Sequence, residues 1–310
     1  MRAVAVSQFG GPEELRIYEL PEPHPGPGEI RIRVRASAVS PTDISFRKGL
    51  RDASAAAPPY VPGMDAAGEI DEIGSCVEGW RIGDQVMAIA LPLSAHGGAY
   101  VEYLVAPVTS IAPVPRGLSL EEAATLPMNG LTATRILELL QMQAGQVLLV
   151  TGAAGVVGGY LIQLAKEAGL LVIAYAGERD GDFVEALGAD VFIPRGPDVS
   201  RRILESHPDG VHGVADTALL HEEILPVLRS GGTFVSVRGW KGAPNSGIRY
   251  ETVSVADEYH SQSKLERLSK LAEAGKLGPR LAQTLPAAWA SVAHRRVEVG
   301  GVRGRFVLLW

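Results

Sequence analysis

The chain holds one cysteine, Cys76, among its 310 residues. One thiol closes no internal disulfide, and this excludes the stapled scaffolds of small secreted domains. Long apolar runs are also missing. Each hydrophobic stretch is short and broken by glycine or charge, so none is expected to span a bilayer. There is no block of basic residues, and the net charge of −6 is mild and spread along the chain. A nucleic-acid partner is therefore not expected. The opening "MRAVAVSQFGGPEEL" has no charged segment followed by an apolar core, so no signal peptide is read. No internal repeat or low-complexity tract stands out. These absences leave a soluble, cytoplasmic globular protein as the expectation.

What is present is enough apolar material for a sizeable core, with 46% hydrophobic and 21% charged residues. This length favours two domains over one. The first third reads as strands and turns. In "EIRIRVRASAV" (29–39), Ile30, Ile32, Val34 and Ala36 alternate with Arg31, Arg33, Arg35 and Ser37, the period-two pattern of a half-buried strand. Further strands are predicted at 66–74, 85–90 and 99–107, between Gly- and Pro-rich turns. From about residue 119 the pattern changes. Ser119 and Glu122 form a capping-box signature. Strand and helix patterns then alternate: strands at 147–151, 170–175, 190–193, 211–216 and 232–237, with helices between them, one of them over 219–229. Such alternation predicts a parallel sheet covered on both faces. A helix over 263–277 and a strand over 304–310 close the chain.

The sharpest motif is "VLLVTGAAGVVGGYLIQLAKEAG" (147–169). Gly152, Gly155 and Gly158 stand at three-residue intervals between an apolar strand and an amphipathic helix. That is the dinucleotide turn in a GxxGxxG variant. Gly152 lets the chain reverse, Gly155 lets backbone approach a diphosphate, and Gly158 lets helix pack on strand. The anion then faces the helix N-terminus. Ala153, Ala154, Val156 and Val157 complete the loop. A glycine-rich turn without a ligand is the alternative, weakened by the strand before, the helix after and the repeated units that follow. Dinucleotide sites that take NAD usually carry an acid at the end of the second strand. Here "VIAYAGERD" (172–180) has Ala174, Tyr175 and Ala176 at that point. Arg179 and Arg195 follow strand ends on the same side of the sheet, as a 2′-phosphate would need. Two solvated surface arginines are the other reading. NADPH is thus expected over NADH.

In order and spacing, "ASAVSPTDISFRKG" (36–49), "PYVPGMDAAGEIDEIG" (59–74), "WRIGDQV" (80–86), "GGAYVEYLVAP" (97–107), "AATLPMNGLTATRIL" (123–137), the glycine loop, "EALGAD" (185–190) and "HRRVEVGGVRGRFVLL" (294–309) resemble the medium-chain dehydrogenase/reductase superfamily. Within it they are similar to the zinc-free quinone oxidoreductase, or zeta-crystallin-like, branch. The resemblance implies an α/β protein: a GroES-like β-rich catalytic domain of residues 1–118 and 257–310, a Rossmann doubly wound parallel-sheet domain of residues 119–256, and a cofactor cleft between them. It implies that Thr132 lies near the nicotinamide, Gly152 to Gly158 at the diphosphate, and Arg195 at the 2′-phosphate. Val237, Arg238 and Gly239 would offer backbone to the nicotinamide end, with Gly177 and Thr217 as further cofactor contacts.

Zinc-containing members carry a Cys-His pair near "VSPTD" (39–43) and a Gly-His-Glu further on. This chain has Ser40 for the cysteine and Gly63-Met64-Asp65 for the second motif. Zinc takes about four N, S or carboxylate ligands, and the seven histidines form no close ligand pair. No metal is expected. Without a Lewis acid to polarise an alcohol, the expected chemistry is hydride transfer from nicotinamide to an electrophilic acceptor, a quinone or an α,β-unsaturated carbonyl. Ser40 and Asp43 are the candidate catalytic residues. Ser40 is a candidate donor to the acceptor oxygen, with a local backbone contact as the alternative. For Asp43 the alternative is bracing its loop or the nicotinamide pocket. Asp65, Tyr60 and Tyr100 are read as structural, and Trp240 as pocket floor or packing. Members of this branch often carry Asn where Ser40 stands and Tyr where Ser45 stands. An enoyl or alkenal reductase of secondary metabolism or detoxification is the neighbouring reading. A cofactor-binding structural or regulatory protein with little turnover is the reading from another class, and a zinc alcohol dehydrogenase the third. The alternating "GIRYETVSVA" (247–256) suits an exposed sheet edge, and the resemblance implies a homodimer paired there.

Overall fold

The computed structural model describes residues 1–53, 57–240, 242 and 247–310. The chain forms two compact units, Met1–Met128 with Ala256–Trp310, and Asn129–Val255. Among the described residues, no helix is long and apolar enough to cross a membrane.

The first unit is built on the strand Glu29–Ala38. Its period-two sequence turns Ile30, Ile32, Val34 and Ala36 into the core, at 2% exposure or less, and leaves the arginines between them toward solvent. Burying each isoleucine contributes roughly 1.5–3 kcal/mol relative to leaving it exposed. Antiparallel pairing joins this strand to Asp65–Ile73 and Tyr103–Pro107. Gln85–Ile89 and Ile111–Pro113 extend the sheet on one side. On the other side the C-terminal strand Arg305–Leu309 pairs with Glu29–Ala38 and, in parallel, with Leu281–Pro286. A separate antiparallel pair joins Arg2–Ala5 to Arg16–Glu19. Tyr100, Ile70, Leu104, Ile111, Phe306 and Leu308 share the core.

The second unit is a six-stranded parallel sheet in the order Val191–Pro194, Leu171–Ala176, Val147–Thr151, Val211–Asp216, Leu228–Ser236, Arg249–Thr252. Counted along the chain this is 3-2-1-4-5-6, the order in which the winding reverses beside the first strand. Leu148, Leu149, Val150, Val214, Ala215, Phe234 and Val235 are fully buried, as strands covered on both faces require. Arg249–Thr252 forms one edge.

Three boundaries differ from the expectation. Residues 119–128 group with the first unit, because the capped helix Leu120–Ala123 packs on the strands Glu29–Ala38 and Asp65–Ile73. The segment 99–107 forms a strand only over Tyr103–Pro107. Before that point the amides of Ala99, Tyr100 and Glu102 bond to Gly63, Pro62 and Arg2 rather than to one ladder. The α-helix expected over 219–229 is instead two single turns of 3-10 helix, His221–Glu223 and Leu225–Val227, and the next strand already starts at Leu228. Pro226 removes a donor from the middle of that run, and Leu219 and His221 hold φ of +61° and +51°, which no α-helix accommodates.

Candidate active site

The glycine turn follows the strand Val147–Thr151 and opens the helix Val156–Glu167. Each glycine answers to a different constraint. Gly152 has φ +61°, and a Cβ there would stand 2.7 Å from Thr217 Oγ1. At Gly158 a Cβ would meet the Gly152 carbonyl oxygen at 2.4 Å and the Ala153 Cα at 2.7 Å, so only glycine lets the helix come this near the strand end. Gly155 is the N-cap, in extended conformation and with no side-chain cap. The first amides of a three-turn helix therefore point outward for an external acceptor. Ala153 and Ala154 are buried in the turn.

The other expected cofactor contacts of this unit, Thr132 apart, follow the C-terminal ends of its strands. Gly177 and the exposed Arg179 follow Leu171–Ala176, and the exposed Arg195 follows Val191–Pro194. These two strands are parallel neighbours, so both arginines follow the same corner of the sheet. Thr217 follows Val211–Asp216, and its hydroxyl donates to the Thr151 carbonyl at 2.6 Å. Val237, Arg238 and Gly239 follow Leu228–Ser236, with open space around Gly239. Thr132 is buried on the helix Pro127–Leu140. Trp240 packs against His221, Phe234 and Tyr250, with ring centroids 4.9–5.5 Å apart, and its indole N–H donates to Glu222.

Sequence reasoning missed Asp216, which ends the otherwise apolar strand "VHGVAD". It is fully buried, accepts the Thr151 hydroxyl at 2.6 Å, and accepts the amides of Leu220 and His221 at 3.1 and 3.0 Å. The carboxylate thus holds the left-handed residues Leu219 and His221 in place beside Thr217. An acid at the end of a buried strand was the available signal.

In the first unit, Ser40 and Asp43 come together as a capping box at the start of the helix Pro41–Arg47. The Ser40 amide and hydroxyl both donate to Asp43 Oδ2, at 2.7 and 2.9 Å, and the Asp43 amide donates back to Ser40 Oγ at 3.3 Å. Ser40 is 1% exposed and Asp43 fully buried. The Gly63 amide reaches Asp43 Oδ1 at 3.2 Å and the Tyr100 hydroxyl reaches Oδ2 at 3.2 Å. Behind them His294 Nε2 lies 3.2 Å from the Tyr100 oxygen. Burial pushes the Asp43 carboxyl up to about 6, while the Arg305 charge and the Ser40 hydrogen bonds hold it from rising further. Burial, then the Arg47 charge, drive His294 down to about 3. Near neutral pH the imidazole is therefore uncharged. Its Nε2–H donates to the Tyr100 oxygen, whose own proton goes to Asp43.

Two ion pairs flank this chain of bonds, one buried on both sides and one with a partly exposed carboxylate. Asp65 and Arg305, at 0% and 2% exposure of their side chains, stand 2.6 Å apart. Asp65 also accepts the Met128 amide at 2.6 Å, and Arg305 donates to the Val39 and Ala38 carbonyls. Arg47, buried completely, donates to Glu298 at 2.7 Å. Asp65 and Tyr100 therefore sit in structural positions, as read from the sequence. Ser45 bonds back to the Pro41 carbonyl. Among the described residues, no group of three or more His, Cys, Asp or Glu gathers in a way that could hold a metal ion.

Comparison with known proteins agrees with this fold. Residues 26–116 match the family model of the alcohol dehydrogenase GroES-like domain, and residues 187–308 match the model described as zinc-binding dehydrogenase. The quinone oxidoreductase of Mus musculus is 32% identical, over 100% of this chain and 98% of that protein. A chloroplastic NADPH-dependent alkenal/one oxidoreductase of Arabidopsis thaliana is 30% identical, over 90% of this chain and 71% of its own length. A solved NAD-dependent alcohol dehydrogenase superposes with a TM-score of 0.88, at 32% identity, over the whole of both chains. Its GroES-like and dinucleotide-binding folds and these relatives make the chain an oxidoreductase of the medium-chain dehydrogenase/reductase superfamily, in the quinone oxidoreductase branch.

Proposed function

We propose that the chain is an NADPH-dependent reductase that acts without zinc on a quinone or an α,β-unsaturated carbonyl. The observation that carries this reading is the glycine turn. Its helix N-terminus is drawn against the strand end by a glycine at which any Cβ would stand 2.4 Å from a carbonyl oxygen, as a bound diphosphate requires. In this reading Gly152 to Gly158 hold the diphosphate, with Gly177, Thr217 and Thr132 as further contacts. Arg179 and Arg195 take the 2′-phosphate, and the backbone of Val237, Arg238 and Gly239 meets the nicotinamide end. When bound, the cofactor supplies the hydride.

The burial of Ser40 and Asp43 supports a positioning role for both. The Ser40 hydroxyl is spent on its own helix, and Asp43 ties that helix start to Gly63 and Tyr100, so the proton for the reduced acceptor comes from solvent. The metal-independent part rests on Ser40 and Met64, which replace the ligand residues of zinc-containing members. The name of the mouse relative favours a quinone acceptor, and the name of the Arabidopsis relative favours an enone and NADPH. The solved neighbour's name keeps NADH as the competing cofactor.

The test is steady-state oxidation of NADPH and of NADH with a small quinone and with an alkenal, each with and without chelator. The expected result is acceptor-dependent oxidation that survives chelation and favours NADPH. Cofactor binding without acceptor-driven turnover overturns the enzyme reading in favour of a binding protein, and loss of turnover to chelator restores a zinc mechanism. We further propose a homodimer paired through the edge strand Arg249–Thr252, and a monomeric mass by light scattering would refute it.

A further inference from the structure

The parallel sheet of the second unit has two ends, and the reading above uses only the one where its strands finish. At the other end lies a solvent-open hollow of about 450 Å³. Its walls come from the beginnings of four strands: Gln146 just before Val147–Thr151, His212 in Val211–Asp216, Arg229 to Thr233 in Leu228–Ser236, and Arg249 opening Arg249–Thr252. Among the described residues no Asp or Glu lines it, although the chain as a whole carries a net charge of −6. Two arginines and a histidine gathered in a concavity without a carboxylate call for an anionic occupant.

The protonation of His212 makes the case specific. The Val147 amide donates to His212 Nδ1 at 3.2 Å, and Arg229 Nη1 stands 2.6 Å from His212 Nε2. A neutral imidazole has one acceptor nitrogen and a charged one has none. Burial and the Arg229 charge both hold this ring on the neutral side. If Nδ1 accepts from Val147, Nε2 carries a hydrogen that faces another donor. If Nε2 accepts from Arg229, the Nδ1 hydrogen faces the Val147 amide. Either way one contact sets donor against donor. An oxyanion that took bonds from both Arg229 and Nε2–H, leaving Nδ1 for Val147, would satisfy all three groups.

The rest of the hollow suits such a ligand. Arg249 is held from several sides, by Thr233 Oγ1 at 3.1 and 3.3 Å, by the Leu139 carbonyl at 2.8 Å and by Gln141 Oε1 at 2.5 Å. Its charge is therefore fixed before any ligand arrives, and ordering it costs little on binding. Gly231 has φ +76° and nothing within 4 Å of where a Cβ would be, so backbone there borders open space.

We propose that this hollow is a second binding site, for a phosphate-class oxyanion, formed by His212, Arg229 and Arg249. It lies at the opposite end of a five-residue strand from the glycine turn, about 16 Å away along that strand, and does not depend on which cofactor or acceptor the protein uses. The test is calorimetric titration of the full chain with inorganic phosphate, against chloride at matched ionic strength, followed by glycerol phosphate as a phosphomonoester. Phosphate is expected to bind and to raise the melting temperature where chloride does not. R229Q and H212N, the latter keeping an acceptor toward Val147, are expected to weaken binding about tenfold or more, the loss of one charge-assisted hydrogen bond. Their melting temperatures without phosphate are expected to match the parent, which separates lost binding from lost folding. Tighter binding of glycerol phosphate assigns the hollow to a phosphomonoester, and equal binding assigns it to the free ion. Phosphate no better than chloride, or undiminished binding by both variants, overturns the proposal.

Discussion

The two units treat charge in opposite ways. The first buries it: Asp43, Asp65, Arg47, Arg305 and His294 are all at most 2% exposed, and they are held by one another, by backbone, by Tyr100 or by Glu298. The second keeps its cations at the rims of a parallel sheet, with Arg179, Arg195 and Arg229 exposed, and buries Asp216 only to brace a turn. The contrast separates a scaffold from a receptor. A buried carboxylate whose bonds are all spent fixes geometry but has nothing left for a ligand, whereas an unshielded guanidinium at a strand end contributes little to folding and can meet an incoming anion.

The largest effect that would break this comparison is expected at Asp65. Replacing it with Ala leaves Arg305 charged and buried without its direct ion-pair partner, a loss of about 3–5 kcal/mol that urea denaturation should register. An unchanged midpoint would mean that the pair is not structural. In the second unit the equivalent stress falls on function. G158V places side-chain atoms where a Cβ alone already lies 2.4 Å from the Gly152 oxygen, displacing the helix N-terminus. NADPH affinity, followed by cofactor fluorescence, is expected to fall about 100-fold, the scale of a misplacement near 1 Å.

His294 sharpens the contrast through pH. Its folded pKa is depressed from 6.5 to about 3, so the unfolded chain binds more protons between those values and stability falls as pH drops through that window. Between pH 6.5 and 5 this contribution amounts to about 2 kcal/mol. Asp43 acts in the reverse sense. Its folded pKa, raised from 3.8 to about 6, makes the folded state the better proton binder in that range, so its penalty eases on acidification. H294Q should therefore remove the acid loss and leave the Asp43 trend alone, giving stability that no longer falls from pH 6.5 to 5. A variant as acid-sensitive as the parent would show that His294 titrates normally. The smallest effect belongs to the exposed arginines. R195A is expected to raise the KM for NADPH about tenfold, one charge-assisted hydrogen bond, with the KM for NADH and the stability unchanged. An equal rise for both cofactors would move Arg195 away from the 2′-phosphate.

The parts legible from sequence are those where local chemistry and tertiary context agree. Gly152, Gly155 and Gly158 announce their turn because strand, glycines and helix are consecutive, and the alternation around Ile30 and Ile32 announces its strand for the same reason. The capping box at Ser119 was visible, and so was the absence of an acid at the end of Leu171–Ala176. The bonds from Asp43 to Tyr100 and on to His294 were not, because their partners are 57 and 194 residues apart and nothing local marks them. The helix expected over 219–229 is absent because Pro226 lacks a donor and the Asp216 carboxylate, four and five residues upstream, pulls Leu220 and His221 into a tight loop. For Ser40 a substrate contact and a local backbone contact stayed equally open, because its sequence position could not show that the hydroxyl is bonded within its own helix start.

The strand Arg305–Leu309 lies inside the first unit's sheet, between Leu281–Pro286 and Glu29–Ala38. In synthesis those residues follow the whole of the second unit. Residues 129–255 are contiguous and can complete their sheet while synthesis continues, but the Ala36–Ala38 end of Glu29–Ala38 must wait with its second edge unpaired until Arg305–Leu309 has emerged. The order of assembly is thus written into the topology: the parallel-sheet unit can be complete first, and the unit begun before it is finished only by a strand made after it.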